Sequence, residues 1–187
     1  MTADQAKVAV LISGRGTNMM ALVEQASGYE VVLVASDRPD AAGLAWARNR
    51  GLAIFAQSPK GIGKAAYEDA LDAALRTAGA GTIALAGYMR LLSDGFVARR
   101  RGQIVNIHPS LLPNYKGLDT HARAIAAGDA VAGCSVHLVT EELDGGEVLG
   151  QTEVAILPGD DADTLAARVL TAEHRLYPTI LAEFVTR

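Results

Sequence analysis

A chain of 187 residues with 50 % hydrophobic and only 5 % aromatic content has the length and apolar fraction to close one sizeable core, as an ordinary α/β domain does. Its net charge of -4 argues against retention on nucleic acid by a general basic field, because phosphate affinity comes from clustered Lys and Arg. The single cysteine, Cys134, excludes an internal disulfide framework and a CxxC metal site and fits a reducing compartment.

The first apolar run, Val8 to Ile12, is interrupted by Ser13 and Gly14 and is too short for a signal-peptide core or a membrane span. A cytoplasmic protein with neither a nucleic-acid nor a membrane partner is therefore expected. That run reads as a buried strand, followed by a helix from Met19 to about Ala26 capped by Asn18 or Thr17, and by a strand over Glu30 to Ala35. Ala41 to Arg50 reads as a helix closed by Gly51, a residue suited to the left-handed C-terminal position. A third strand is expected at Leu52 to Phe55.

Tyr67, Leu71 and Leu75 give Lys64 to Thr77 one apolar helical stripe, and Thr82 to Ala86 reads as another buried strand. Arg99, Arg100 and Arg101 form the only local basic run, placed near a helix end and before a strand, where cations complement the helix dipole. This alternation predicts βαβ units around a mostly parallel, twisted sheet flanked by helices, with a Rossmann-like N-terminal half. Beyond Asn106 the texture changes to Pro109, Pro113 and Gly117, an alternating strand over Cys134 to Thr140, a tight loop at Asp144-Gly145-Gly146 and a strand over Val148 to Ile156. The last element, Asp163 to about Phe184, is helical by pattern but contains Pro178, which predicts a kink or a restart. Without repeats, low-complexity tracts or long linkers, residues 1–187 read as one domain: a nucleotide-binding-like half to about residue 105 and a catalytic half from about 106.

Two segments carry chemistry. Ser13-Gly14-Arg15-Gly16-Thr17-Asn18 lies between the first strand and first helix, where glycines admit a ligand to the backbone and helix N–H groups face an anion. It lacks the Gly-Lys-Ser/Thr of a Walker loop and the third glycine of the dinucleotide fingerprint, so by itself it suits a phosphate cradle and a tight turn equally. In Val105-Asn106-Ile107-His108-Pro109, a strand that buries Val105 and Ile107 turns Asn106 and His108 to its other face, and Pro109 ends it. Ligands of open α/β sheets bind outside such strand ends.

Asp144 either stabilises its own turn or reaches the imidazole, where a carboxylate fixes the ring and raises its pKa by favouring imidazolium. Asn106, His108 and Asp144 then form an acyl-transfer set: an amide donor for an oxyanion, a proton donor for the leaving amine and a carboxylate that orients it. Cys134 reads as a small buried hydrophobe. His121 and His137 read as packing support rather than as participants, and His174 lies on a helix.

The glycine loop at 13–18, Leu85-Ala86-Gly87-Tyr88-Met89-Arg90-Leu91-Leu92, the Asn-Ile-His-Pro-Ser-Leu-Leu-Pro run at 106–113, Val136-His137 and Leu143-Asp144-Gly145-Gly146 together resemble the phosphoribosylglycinamide formyltransferase family. The resemblance spans essentially the whole chain, including Glu173-His174. It implies the formyltransferase fold, cytoplasmic purine synthesis, 10-formyltetrahydrofolate as co-substrate and no metal. It implies glycinamide ribonucleotide (GAR) as the second small-molecule partner, and a monomer or homodimer.

Carried over residue by residue, the resemblance makes Asn106, His108 and Asp144 catalytic. Gly16, Thr17, Asn18 and Glu173 would hold GAR. Lys64, Met89, Arg90, Leu91, Leu92, Asn106, Thr140, Glu141, Glu142, Leu143 and Asp144 would bind the folate. Thr17 stands where serine is common, Asp119 occupies a variable position, and Lys64 replaces a frequent arginine, losing bidentate reach to a glutamyl carboxylate. The related methionyl-tRNA formyltransferases and formyltetrahydrofolate deformylases carry a further tRNA-binding or regulatory domain, which the resemblance does not lead us to expect in this protein.

Overall fold

In the computed structural model, which describes residues 6–187, the apolar runs become strands β1 (Ala6–Ile12), β2 (Tyr29–Ser36), β3 (Ile54–Ala56), β4 (Thr82–Leu85), β5 (Ile104–His108), β6 (Val131–Leu138) and β7 (Val148–Ala155). Between them lie helices α1 (Thr17–Glu24), α2 (Ala42–Asn49), α3 (Lys64–Thr77), α4 (Asp94–Arg99) and α5 (Thr120–Ala127), and α6 (Ala162–Val185) follows β7. The strands form one sheet in the order β3-β2-β1-β4-β5-β6-β7. It is parallel from β3 to β5, and β6 and β7 join antiparallel.

Alternating residues of β1 feed two apolar layers, which is why this strand reads as an unbroken hydrophobic run. Val8, Val10 and Ile12 pack with Met19 and Leu22 of α1, Leu44 of α2 and Leu165, Val169 and Leu181 of α6. Ala9 and Leu11 pack on the other side with Tyr67, Leu71 and Leu75 of α3 and Phe96 of α4. The mostly parallel, helix-flanked sheet is the one the sequence predicts. Among the described residues no helix is long and apolar enough to cross a membrane.

One local expectation is corrected, and one of the two outcomes expected at Pro178 is excluded. Helix α1 begins at Thr17, and its N-cap is Gly16 at φ 74 with no side-chain cap. Asn18 lies inside the helix rather than at its cap, and its amide nitrogen donates to Glu173 Oε2 at 2.7 Å. Helix α6 runs through Pro178 without restarting. Proline removes the N–H that would bond the carbonyl four residues earlier, and Gln25 Nε2 donates to that His174 oxygen at 3.0 Å in its place. One turn of α6 away, the Tyr177 hydroxyl lies 3.1 Å from the carbonyl oxygens of both Leu85 and Val105, fastening the helix to β4 and β5.

Candidate active site

The site begins with the alternation of β5. Val105 and Ile107 enter the core, which leaves Asn106 and His108 on the opposite face. Because β6 runs antiparallel to β5, Asn106 sits directly opposite His137 in the register, so their side chains share that face. An amide and two imidazoles are thereby collected on one patch of sheet.

Asp144 reaches the patch from the loop between β6 and β7. A Cβ on Gly146 would lie 1.9 Å from the backbone oxygen of Leu138, so only glycine lets the loop pass this closely over the end of β6. Asp144 adopts φ 48, a left-handed conformation that costs a non-glycine residue about 1 kcal/mol or more and that collects at functional sites. Its Oδ2 lies 3.5 Å from His108 Nδ1 and accepts the Gly117 N–H at 2.9 Å, while Oδ1 lies 3.6 Å from His137 Nε2. The other nitrogen of His108, Nε2, lies 3.0 Å from the Tyr115 carbonyl oxygen. Both neighbours of this ring are oxygen atoms, one in hydrogen-bond contact and the other, the Asp144 carboxylate, somewhat farther off.

Asn106, His108 and Asp144 open into a cavity of about 580 Å³, whose wall also includes Met89, Arg90, Leu91, Leu92, Thr140, Glu141, Glu142 and Leu143. That volume suits a drug-sized organic ligand. Met89, Leu91, Leu118 and Leu143 expose apolar side chains at its rim. The covering loop is tied at its outer edge by Lys116 to Glu142 at 2.7 Å and Arg101 to Glu141 at 2.8 Å; such exposed pairs hold weakly.

The remaining binding residues expected from sequence lie outside the cavity wall. Lys64 is exposed at the first position of α3. Gly16, Thr17, Asn18 and Glu173 form a second cluster where α1 meets α6. The glycine loop emerges from β1 beside β4, the point at which the sheet order reverses and ligands of open α/β sheets bind. It is joined to the cavity wall through Ser13, whose N–H donates to Gly87 O at 3.1 Å and whose hydroxyl accepts the Met89 N–H at 2.9 Å and donates to buried Asp37 at 2.6 Å.

Burial also sets protonation here. It pushes the Cys134 thiol up to about 12, which makes that side chain the inert hydrophobe expected of it. Burial, reinforced by nearby His108, holds the His121 imidazole below its ordinary range. It raises the Glu173 carboxyl above the usual carboxylate range, against the Asn18 hydrogen bond that lowers it. A raised carboxyl favours the folded state while both forms are protonated and loses that advantage as pH climbs through the folded value. Glu173→Gln should therefore raise the melting temperature at pH 8 by about 3 °C, a gain that disappears below about pH 4, where glutamate is neutral in both states. Thermal denaturation of both proteins across this range checks it; an equal gain at every pH would refute it.

His137 is the residue whose placement sequence reasoning missed. It is 2 % exposed and hydrogen-bonds Asn106 at 3.1 Å, so it stands within the constellation rather than behind it. The Ser13–Asp37 connection was also missed. The alternation of Val136 and His137 gives His137 a face, but only the antiparallel register discloses that Asn106 shares it.

The formyl transferase family profile matches residues 6–181. The chain is 40 % identical over 182 residues to phosphoribosylglycinamide formyltransferase of Escherichia coli strain K12, covering 95 % of this chain and 86 % of that protein. It is 43 % identical over 186 residues to the trifunctional purine biosynthetic protein adenosine-3 of Drosophila melanogaster, covering 96 % of this chain but spanning only 14 % of that much longer protein. The crystal structure of phosphoribosylglycinamide formyltransferase from Brucella melitensis superposes with a TM-score of 0.92 at 50 % identity, covering 98 % of this chain and 97 % of that one. With its fold, its sequence and nearly its full length matched in this way, the chain belongs to the phosphoribosylglycinamide formyltransferases of the formyl transferase family.

Proposed function

We propose that this chain transfers the formyl group of 10-formyltetrahydrofolate to the glycinamide amine of GAR, a step of purine synthesis. The observation that carries the reading is the convergence of Asn106, His108 and Asp144 on one cavity, in a chain of this family. The amine attacks the formyl carbon directly, giving a tetrahedral centre with an oxyanion. The Asn106 amide donates to that oxygen. The bond from carbon to N10 of the folate then breaks, His108 supplies a proton to the departing nitrogen, and the attacking amine sheds its own. Asp144 orients the His108 ring. The products are formyl-GAR and tetrahydrofolate, and the route calls for neither a nucleophilic side chain nor a metal.

The two clusters divide the substrates between them. Gly16, Thr17 and Asn18 suit the phosphate, because the helix N-terminus behind them offers unpaired N–H groups, and Glu173 suits the ribose and glycine end. The cavity segment Met89 to Leu92 and the loop Thr140 to Asp144 take the folate, with Lys64 beyond them towards its glutamyl tail. The half of the chain to about residue 105 thus supplies phosphate binding, and the rest supplies catalysis.

Spectrophotometric tetrahydrofolate release from 10-formyltetrahydrofolate, with and without GAR, tests the proposal. Release that requires GAR is expected. Release in its absence would mean hydrolysis of the formyl group, and no release in either mixture would remove the transferase reading.

A further inference from the structure

The catalytic proposal leaves His137 without a task, although it is buried beside both Asn106 and Asp144. Its two nitrogens have unlike neighbours. Nδ1 lies 2.9 Å from the carbonyl oxygen of Leu138, an acceptor only, so Nδ1 carries a proton. Nε2 lies 3.1 Å from Asn106 Nδ2, a donor only, so Nε2 offers its lone pair. The 3.6 Å to Asp144 Oδ1 is too long for a hydrogen bond that would hold a second proton on Nε2. The ring is the neutral Nδ1–H tautomer.

We infer that His137 is a positioning residue: the Leu138 carbonyl fixes its tautomer, and its Nε2 in turn fixes which way the Asn106 amide faces. With one N–H of Asn106 engaged by Nε2, its amide cannot reverse without setting the carboxamide oxygen against a lone pair. The second N–H is left to donate to the oxyanion. Burial pushes the His137 pKa down, aided by nearby His108 and Lys116 and opposed by the Leu138 carbonyl and Asp144, and so maintains the neutral ring. The inference rests on the reading of Asn106 as the oxyanion donor.

A double-mutant cycle on kcat tests it, with thermal denaturation confirming that each variant folds. Loss of one oxyanion donor costs about 10²- to 10³-fold, so His137→Ala, which only frees that donor to turn, should lower kcat by about 10-fold or more. His137→Gln, which can place an acceptor oxygen where Nε2 stood, should recover most of it. In an Asn106→Ala background His137→Ala should cost less than about twofold further, because its effect passes through a group already gone. The same factor in both backgrounds, or a glutamine variant as slow as alanine, would overturn the inference alone. Wild-type kcat in Asn106→Ala would overturn the underlying reading of Asn106 and the inference with it.

Discussion

His108→Ala is expected to lower kcat by about 10²- to 10⁴-fold, the range for loss of a positioned proton donor, while leaving GAR binding within about threefold of wild type. The separation follows from the architecture. His108 faces the cavity at the end of β5, whereas the Asn18–Glu173 pair lies where α1 meets α6. Asp144→Asn should fall in the same range although it preserves shape. An amide cannot supply charge beside His108 Nδ1 at 3.5 Å, and turning its nitrogen towards the Gly117 N–H would set two donors face to face. Steady-state kinetics with both substrates varied, together with calorimetric titration of GAR, separate the two effects. Equal wild-type turnover in both variants would remove His108 and Asp144 from the mechanism.

Gly146→Ala should be nearly as damaging, although Gly146 touches no substrate in the proposed reaction. Its new methyl group would overlap the Leu138 carbonyl at 1.9 Å, backbone against backbone with no flexible side chain to yield. That carbonyl is also the group that holds the Nδ1 proton of His137. Displacing the loop by about 1 Å moves Asp144 away from His108 and disturbs the Leu138–His137–Asn106 chain at once, and misplacement of this size costs about 10²-fold in rate. The same strain should lower the melting temperature by about 5 °C. The neighbouring Gly145→Ala is the control, since the atoms nearest its added carbon belong to the exposed side chain of Glu142 rather than to backbone. It should retain kcat within about threefold. Gly146→Ala at wild-type rate would mean that the loop has room the structure does not give it.

What the sequence discloses follows the reach of local rules. Strand β1, helix α3 and the two faces of β5 were legible because a period of two or 3.6 residues is written into consecutive positions, and the same side chains then meet the core. The start of α1 was misread because the chain enters the helix from Gly16 at φ 74 with no side-chain cap, a start that the rule for capping side chains does not anticipate. Helix α6 continues past Pro178, and the carbonyl this proline orphans is served by Gln25, 149 positions away, a partner no local rule discloses. His137 was set aside because register across an antiparallel pair is not encoded in either strand alone. The glycines after Asp144 marked a tight loop; that Gly146 rather than Gly145 meets backbone became visible only in three dimensions.

Helix α6 is the last element in the chain, yet it supplies Glu173 to the first helix and Tyr177 to the carbonyls of β4 and β5. On the ribosome, a nascent chain with every strand made would still lack the 24-residue cover of one sheet face. The apolar side chains that Leu165, Val169 and Leu181 finally bury would stand open to other chains, the condition in which incomplete chains aggregate. Completing that cover and assembling the Asn18–Glu173 pair are one event.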